Sequence, residues 1–236
     1  MIRKSIKKIV LPISIVIGAY LAIGYFLHLV VFPEAKPTAS EYFRPEQVIF
    51  STTENMKQTV VKHDGGVVFC STEVGPFAGG PPKHIHGNFD EYFEVANGEL
   101  TLWIDGKIVK LRPGQKLHIP AGTPHKPYNE TGETIHMIGL TAFPEKFAFS
   151  LSQVYGVMDN DPTFGKTPAT MLQMAMFSAN GFDTDLVEGP PVFIQHITNF
   201  VVVPIARLLG HKSYYPEYDV RTRQFAGLKN QAVENK

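Results

Sequence analysis

Cysteine is nearly absent from these 236 residues: Cys70 stands alone. One thiol closes no internal disulfide, and a cysteine-built metal site is excluded. Cys70 itself reads as a small buried apolar residue on a strand. Net charge is absent too, with 22 Lys and Arg against 22 Asp and Glu. Nothing electrostatic draws such a chain to nucleic acid, and none is expected as a partner. No internal repeat or low-complexity run occurs. The apolar share of 44% is ample for a core, so disorder is excluded.

What is present is unevenly placed. Arg3, Lys4, Lys7 and Lys8 put four positive charges in the first eight residues, which leaves a net −4 on the rest. Ile9 to Phe32 follows, apolar but for Pro12, Ser14 and His28. As a helix it is about 36 Å long, enough to span a hydrocarbon core of about 30 Å. The expectation is a cytoplasmic stretch 1–8 and a transmembrane anchor 9–32. The body of the chain then lies on the extracytoplasmic side, because positive residues stay inside. A cleaved signal is the rival, with a small-residue site at Thr38-Ala39-Ser40; its apolar region is normally shorter than this one. Residues 33–45, rich in proline and polar residues, read as a linker.

From Gln47 onward, short strands alternate with turn dipeptides. Val48–Ser51, Gln58–Lys62 and Val67–Val74 read as strands, with Asp64-Gly65-Gly66 as a hairpin turn. Gly75–Lys83 is a loop. Asn97-Gly98 is the sharpest turn signal. A two-residue hairpin there sets Val95 against Leu100, Phe93 against Leu102 and Glu91 against Ile104, all facing inward. It turns Tyr92, Trp103, Glu94 and Thr101 outward. Gln115–Ile119 and Thr134–Leu140 complete the strands. This spacing, without helices between, argues a closed antiparallel double sheet, the jelly roll.

The chemistry gathers between Gly79 and Asn129. His84 and His86 alternate on a strand and so share a face. Glu91 follows a short turn and can return a carboxylate oxygen to the same point. His125 arrives on a later strand past a Pro- and Gly-rich corner. Three imidazoles and one carboxylate suit one divalent transition metal: Fe, Mn, Ni, Zn or Cu. Burial of Glu91 without a partner costs several kcal/mol (roughly, by the transfer scales), so a cation or a proton is required there. His118 shares its parity with Lys116 and faces out. His136, His63 and His28 carry no assigned role.

His84-x-His86-x4-Glu91-x6-Gly98 and Gly114-x5-Pro120-x-Gly122-x2-His125-x3-Asn129 occur together in one chain. The pair resembles the cupin superfamily, although the glycine before His84 stands one residue nearer than usual. The Gly-Gly-Pro-Pro-Lys run before His84 looks most like the quercetin-dioxygenase-like branch. The resemblance covers residues 46–191. It implies a double-stranded β-helix at 46–150, so the expected class is all-β, a single-barrel jelly roll with an N-terminal transmembrane helix and C-terminal helices. It implies a metal held by His84, His86, Glu91 and His125, and a small-molecule ligand or substrate. A mononuclear metal dioxygenase for a small aromatic or enolic substrate is the leading reading, with Glu91 also moving a proton since no other inward carboxylate is evident. A non-catalytic small-ligand sensor and a metal-dependent isomerase or epimerase are the alternatives. The resemblance also leaves room for a homodimer.

Beyond the barrel, a helical extension is expected over 151–191. Thr167 serves as N-cap, Pro168 as first helical residue and Gly181 as terminator. Residues 192–236 are an amphipathic helix and basic tail. Pro191–Leu209 can pack on the barrel, lie on the membrane or cross it; crossing ranks last because polar residues occupy its middle.

Overall fold

The computed structural model describes residues 2–219. The tail residues Arg221, Arg223 and Lys229, and the side chains of Arg3, Lys4, Lys7 and Lys8, lie outside the described parts. Helix α1 (Ile2–Phe26) continues into a π-helical turn over Leu27–Val31. Val10–Val31 is long and apolar enough to cross a membrane, and none of it is fully buried; a signal sequence has the same character. A short helix, α2 (Ala39–Tyr42), then enters the body of the protein. The expected linker is thus anchored at its end: Tyr42 and Phe43 are buried against the aromatic core.

The strands are β1 (Val48–Ser51), β2 (Met56–Asp64), β3 (Val67–Val74), β4 (His84–Ile85), β5 (Glu91–Glu94) and β6 (Leu100–Ile104). After them come β7 (Lys107–Leu111), β8 (Lys116–Ile119), β9 (His125–Tyr128), β10 (Ile135–His136), β11 (Thr141–Pro144) and β12 (Asp185–Leu186). One sheet runs β1-β2-β3-β10, with β11 also on β3. A second runs β12-β4-β9-β6-β7, and β5 pairs with β8 alone. Every pairing is antiparallel. The sheets are those of a cupin-like sandwich, as expected. The chain as a whole is not all-β, because four helices of 11 residues or more flank the sheets.

The expected hairpin at Asn97-Gly98 is corrected. β5 does not pair with β6; its partner is β8, with Glu91 opposite Ile119. The turn residues are held by a third segment. The Ala96 amide donates to the His136 carbonyl at 2.8 Å, and the Asn97 side chain accepts from the His136 amide at 2.9 Å and donates to the Thr134 carbonyl at 2.8 Å. The chain therefore crosses between sheets there, and Gly98, at φ 65°, permits the turn. Ile104 lies opposite Lys107 and His125, not Glu91. Thr101, expected outside, is buried and donates to Glu130 at 2.9 Å. Of the expected strand Thr134–Leu140 only β10 forms; the Ile138 amide then turns to bond the Glu94 carbonyl, and β11 starts just past the expected end.

Among the described residues three apolar clusters are buried, the smallest of them Ala175, Met176, Val203 and Ala206 between two helices described below. Val74, Val95, Leu100, Leu102, Ile119 and Ile135 form another. Ile49, Val60, Cys70 and Phe143 belong to the third, beneath helix α3 (Glu145–Asn160). That helix starts within the stretch 46–150 expected as barrel and runs on into the expected helical extension 151–191, although no start signal marked it. Burial pushes the Cys70 thiol up to about 12, which keeps it unreactive. Helix α4 (Pro168–Ser178) begins as expected at a Thr167 cap with Pro168 next. It closes at Ala179, with Gly181 two residues further on at φ 104°. Helix α5 (Val192–Leu208) buries Val203, Pro204 and Ala206 while its polar residues reach the barrel extension. Gln195 bonds both backbone groups of Leu186, and His196 bonds Asp185.

Candidate metal centre

The Gly79–Lys83 loop sets up the site. Gly80 sits at φ 63° against the Pro127 carbonyl, where any side chain would collide with β9 backbone. That close approach lets β4 pair with β9 so that His84 stands opposite His125. His86 follows just beyond β4, its carbonyl accepting from Gly122 at 2.7 Å. Glu91 opens β5 and reaches in from the side. All four side chains are brought together: their ligating atoms lie within 4.8 Å of one another. The Nε2 atoms of His84 and His86 are 3.1 Å apart, and Glu91 Oε2 is 3.9 Å from His86 Nε2 and 2.6 Å from His125 Nε2.

The outer nitrogens are all occupied. His84 Nδ1 donates to the Pro82 carbonyl at 2.8 Å, His86 Nδ1 to that of Asp183 at 2.5 Å and His125 Nδ1 to that of Thr123 at 2.9 Å. A neutral imidazole that donates from Nδ1 presents a bare Nε2 lone pair. Three such lone pairs therefore point at one spot with a carboxylate beside them. His125 Nε2 and Glu91 Oε2, though close, are not aligned as donor and acceptor, and both are buried without a hydrogen-bond partner among the described residues. This is the arrangement expected of side chains aimed at a common cation rather than at each other. Three nitrogens and one oxygen suit a divalent transition metal.

Electrostatics agree at His84 and His86; at His125 burial lowers the ring but the adjacent Glu91 carboxylate outweighs it and raises it, so a cation entering the site competes with a proton there. Burial and the neighbouring His86 and His125 rings hold His84 down at about 3, so it stays neutral. Burial lowers His86 as well. Burial alone pushes Glu91 up, but the surrounding imidazoles outweigh it and hold the carboxyl at about 2. Glu91 is ionised across the physiological range.

Two residues here escaped the sequence. Asp183, from the segment after α4, accepts the amides of Gly87 and Asn88 at 3.1 and 2.7 Å while its own carbonyl holds His86. Glu54 lines the same cavity as His84, His86 and Glu91, with Gln58 and Tyr155 beside it. The expectation of no further inward carboxylate is thus wrong. Glu54 is 7% exposed, and burial raises it to about 7 despite the Tyr155 hydroxyl. Thr52-Thr53-Glu54-Asn55 reads as an ordinary polar turn, and no local signal marks it. His118, by contrast, is exposed as expected; it bonds Asp90 at 2.7 Å and stacks on Tyr92. His136 is also exposed, while His63 bonds Glu145.

The cavity measures about 590 Å³ and its walls include Met56, Val74, Phe143, Leu151, Val154 and Phe164. Residues 71–141 match the family model described as the cupin domain. The match supports the cupin superfamily. Curated proteins similar to this chain carry enzyme names. Quercetin 2,3-dioxygenase of Bacillus subtilis is 35% identical over 77 residues, 33% of this chain and 22% of that protein. Oxidoreductase iacF of Pestalotiopsis fici is 37% identical over 34% of this chain and 44% of its own length. Oxidoreductase OpS7 of Beauveria bassiana is 28% identical over 59% of this chain and 56% of its own. The chain spans less than two thirds of each. Among solved structures, a cupin-2 domain containing protein from Shewanella frigidimarina is 25% identical, with a TM-score of 0.31 over 37% of this chain and 78% of that one.

Proposed function

We propose that the barrel is a metal-dependent oxidoreductase, a mononuclear dioxygenase acting on a small aromatic or enolic substrate and tethered to a membrane by α1. His84, His86, Glu91 and His125 hold the metal, which supplies Lewis acidity and a place for dioxygen and substrate to meet. The observation that carries this reading is the convergence of three Nε2 atoms and a carboxylate beside an apolar-walled cavity. Such walls with a few polar groups suit a planar, mostly apolar molecule bearing hydroxyl or carbonyl groups. The relatives' names agree with this class.

The two carboxylates divide the proton work. Glu91, ionised throughout, accepts a proton from the bound substrate. Glu54, set near neutrality, gives or takes one further along the cavity. This second station also favours one rival reading, a metal-dependent isomerase, in which a proton removed at one carbon returns at another. Oxygen uptake by the metal-loaded protein with a panel of phenols and enols tests the proposal. Consumption of substrate with dioxygen is expected; rearrangement of an enol without oxygen uptake points to the isomerase. Tight binding with no turnover of any kind points to a sensor. For the tether, the basic N-terminus argues a cytoplasmic start and an extracytoplasmic barrel.

A further inference from the structure

A second cavity, about 730 Å³ and sharing no residue with the metal cavity, lies where α1 ends. Its walls come from Ile23, Leu27 and Phe32 on one side and from Pro204, Leu208 and the Gly210–Lys212 turn on the other. The two helices are joined beside it. The Tyr20 and Tyr25 hydroxyls donate to the Val201 and Phe200 carbonyls, each at 2.9 Å, and the Tyr25 and Phe200 rings stack at 5.1 Å.

The cavity is largely apolar but its walls include the cationic Arg207 and Lys212. Arg207 is the decisive one. Its Nε and Nη1 atoms are buried with no hydrogen-bond partner among the described residues, and its guanidinium rests over the Tyr25 ring at 5.3 Å. Glu34, itself in the cavity wall, makes no ion pair with it among the described residues, its carboxylate being taken up elsewhere. Glu34 accepts from Ser213 N at 2.6 Å, Ser213 Oγ at 2.5 Å and Tyr214 N at 3.0 Å. Buried guanidinium N–H groups left open are costly, and the fork geometry matches a phosphate or carboxylate. Phe26 and Leu29 on α1 and its π-helical continuation, and Ile205 on α5, are further exposed apolar residues.

We propose that this cavity binds the phosphate of an anionic phospholipid, with Arg207 as its principal contact and the acyl chains lying along α1 and α5. The proposal rests on reading α1 as a retained membrane span, since the end of the cavity at Phe32–Ala35 then falls at the level of the lipid headgroups while its Tyr20–Leu27 side lies along the span. Seating a lipid here covers the exposed side of α5 and fixes the barrel's orientation over the bilayer.

The test is native mass spectrometry of the full-length protein in non-ionic detergent. Phosphatidylglycerol, phosphatidylcholine and inorganic phosphate are offered to wild type, Arg207→Lys and Arg207→Gln. Wild type is expected to retain one phosphatidylglycerol in preference to phosphatidylcholine. Arg207→Gln is expected to bind it about 10- to 100-fold more weakly, with Arg207→Lys between the two. No lipid preference in wild type, an unchanged Arg207→Gln, or full displacement by inorganic phosphate each overturns the lipid site. The wild-type preference decides the matter should the Gln variant not fold. Carbonate extraction and N-terminal sequencing of the cell-expressed protein separate the two readings. A soluble form starting near residue 40 overturns the anchor and the lipid site together. A membrane-retained protein without lipid preference overturns the lipid site alone.

Discussion

His84 Nε2 faces His86 Nε2 at 3.1 Å while the Nδ1 of each ring donates to a backbone carbonyl. Two bare lone pairs at that distance repel unless a cation lies between them. The full-length protein should therefore purify with near-stoichiometric transition metal. His86→Ala and His125→Ala should each lose most of it. At metal concentrations 100 to 1,000 times the Kd, the bound ion stabilises the native state by about 3–4 kcal/mol, so both variants should also melt lower. Elemental analysis beside thermal melts checks this; full retention of metal by both variants ends the assignment.

Asp183 acts through His86. Its carboxylate gathers the Gly87 and Asn88 amides, and its carbonyl fixes the His86 tautomer. Removal of the carboxylate frees the turn that aims His86. Asp183→Ala should weaken metal affinity roughly 10–100-fold, the usual cost of losing a group that orients a ligand. Asp183→Asn, which keeps one acceptor oxygen, should recover part of it. Competition with a metallochromic chelator measures both. Equal affinity in all three proteins would show that the turn holds itself.

Glu54 predicts a pH dependence. Its folded-state value of about 7 lies above the usual carboxyl value of 4.5. Between those values the unfolded chain has released the proton and the native state still holds it, so the native state is penalised as pH rises. The contribution is nil below 4.5, grows through the window and levels off above 7, to a loss of about 3 kcal/mol. Glu54→Gln, neutral at every pH, should flatten the melting temperature between pH 4.5 and 7. Melts of the two proteins across that range decide it, and parallel curves would count against the burial argument.

The site was more legible in the sequence than the path between its parts. His84, His86, Glu91 and His125 stood out because ligand spacing is local on each strand and the turn residues between are punctuated by Gly and Pro. β1 and β3 were legible for the same reason. The Asn97-Gly98 register was not, because a turn dipeptide specifies the bend and not the partner; β5 found β8, separated from it by two whole strands. Glu54 and Asp183 were hidden for a related reason: each becomes functional only through neighbours distant in the chain, Tyr155 and His86. Helix α3 lacked a capping side chain, since Pro144 precedes it and the hydroxyl-rich Phe149–Ser152 stretch gives a weak helical signature.

Glu91 is expected to be both ligand and proton acceptor, and the two roles separate under substitution. Glu91→Gln keeps the side-chain shape and one oxygen for the metal but removes the charge and the basicity. Binding of metal should fall only in part, because three imidazoles remain. Turnover with any substrate found should fall roughly 10²–10⁴-fold, the usual loss of a general base. Glu54→Gln should keep the metal in full, lower turnover less than Glu91→Gln, and remove the inflection near pH 7 from the rate profile. His118→Ala, on the outer face beside Tyr92, should change neither metal nor rate. Steady-state rates against pH, normalised to bound metal, compare the four proteins. Normal turnover by metal-loaded Glu91→Gln would leave Glu91 a ligand alone. If Glu54→Gln then abolished the rate, proton transfer would belong to Glu54, which lies outside the ligand motif.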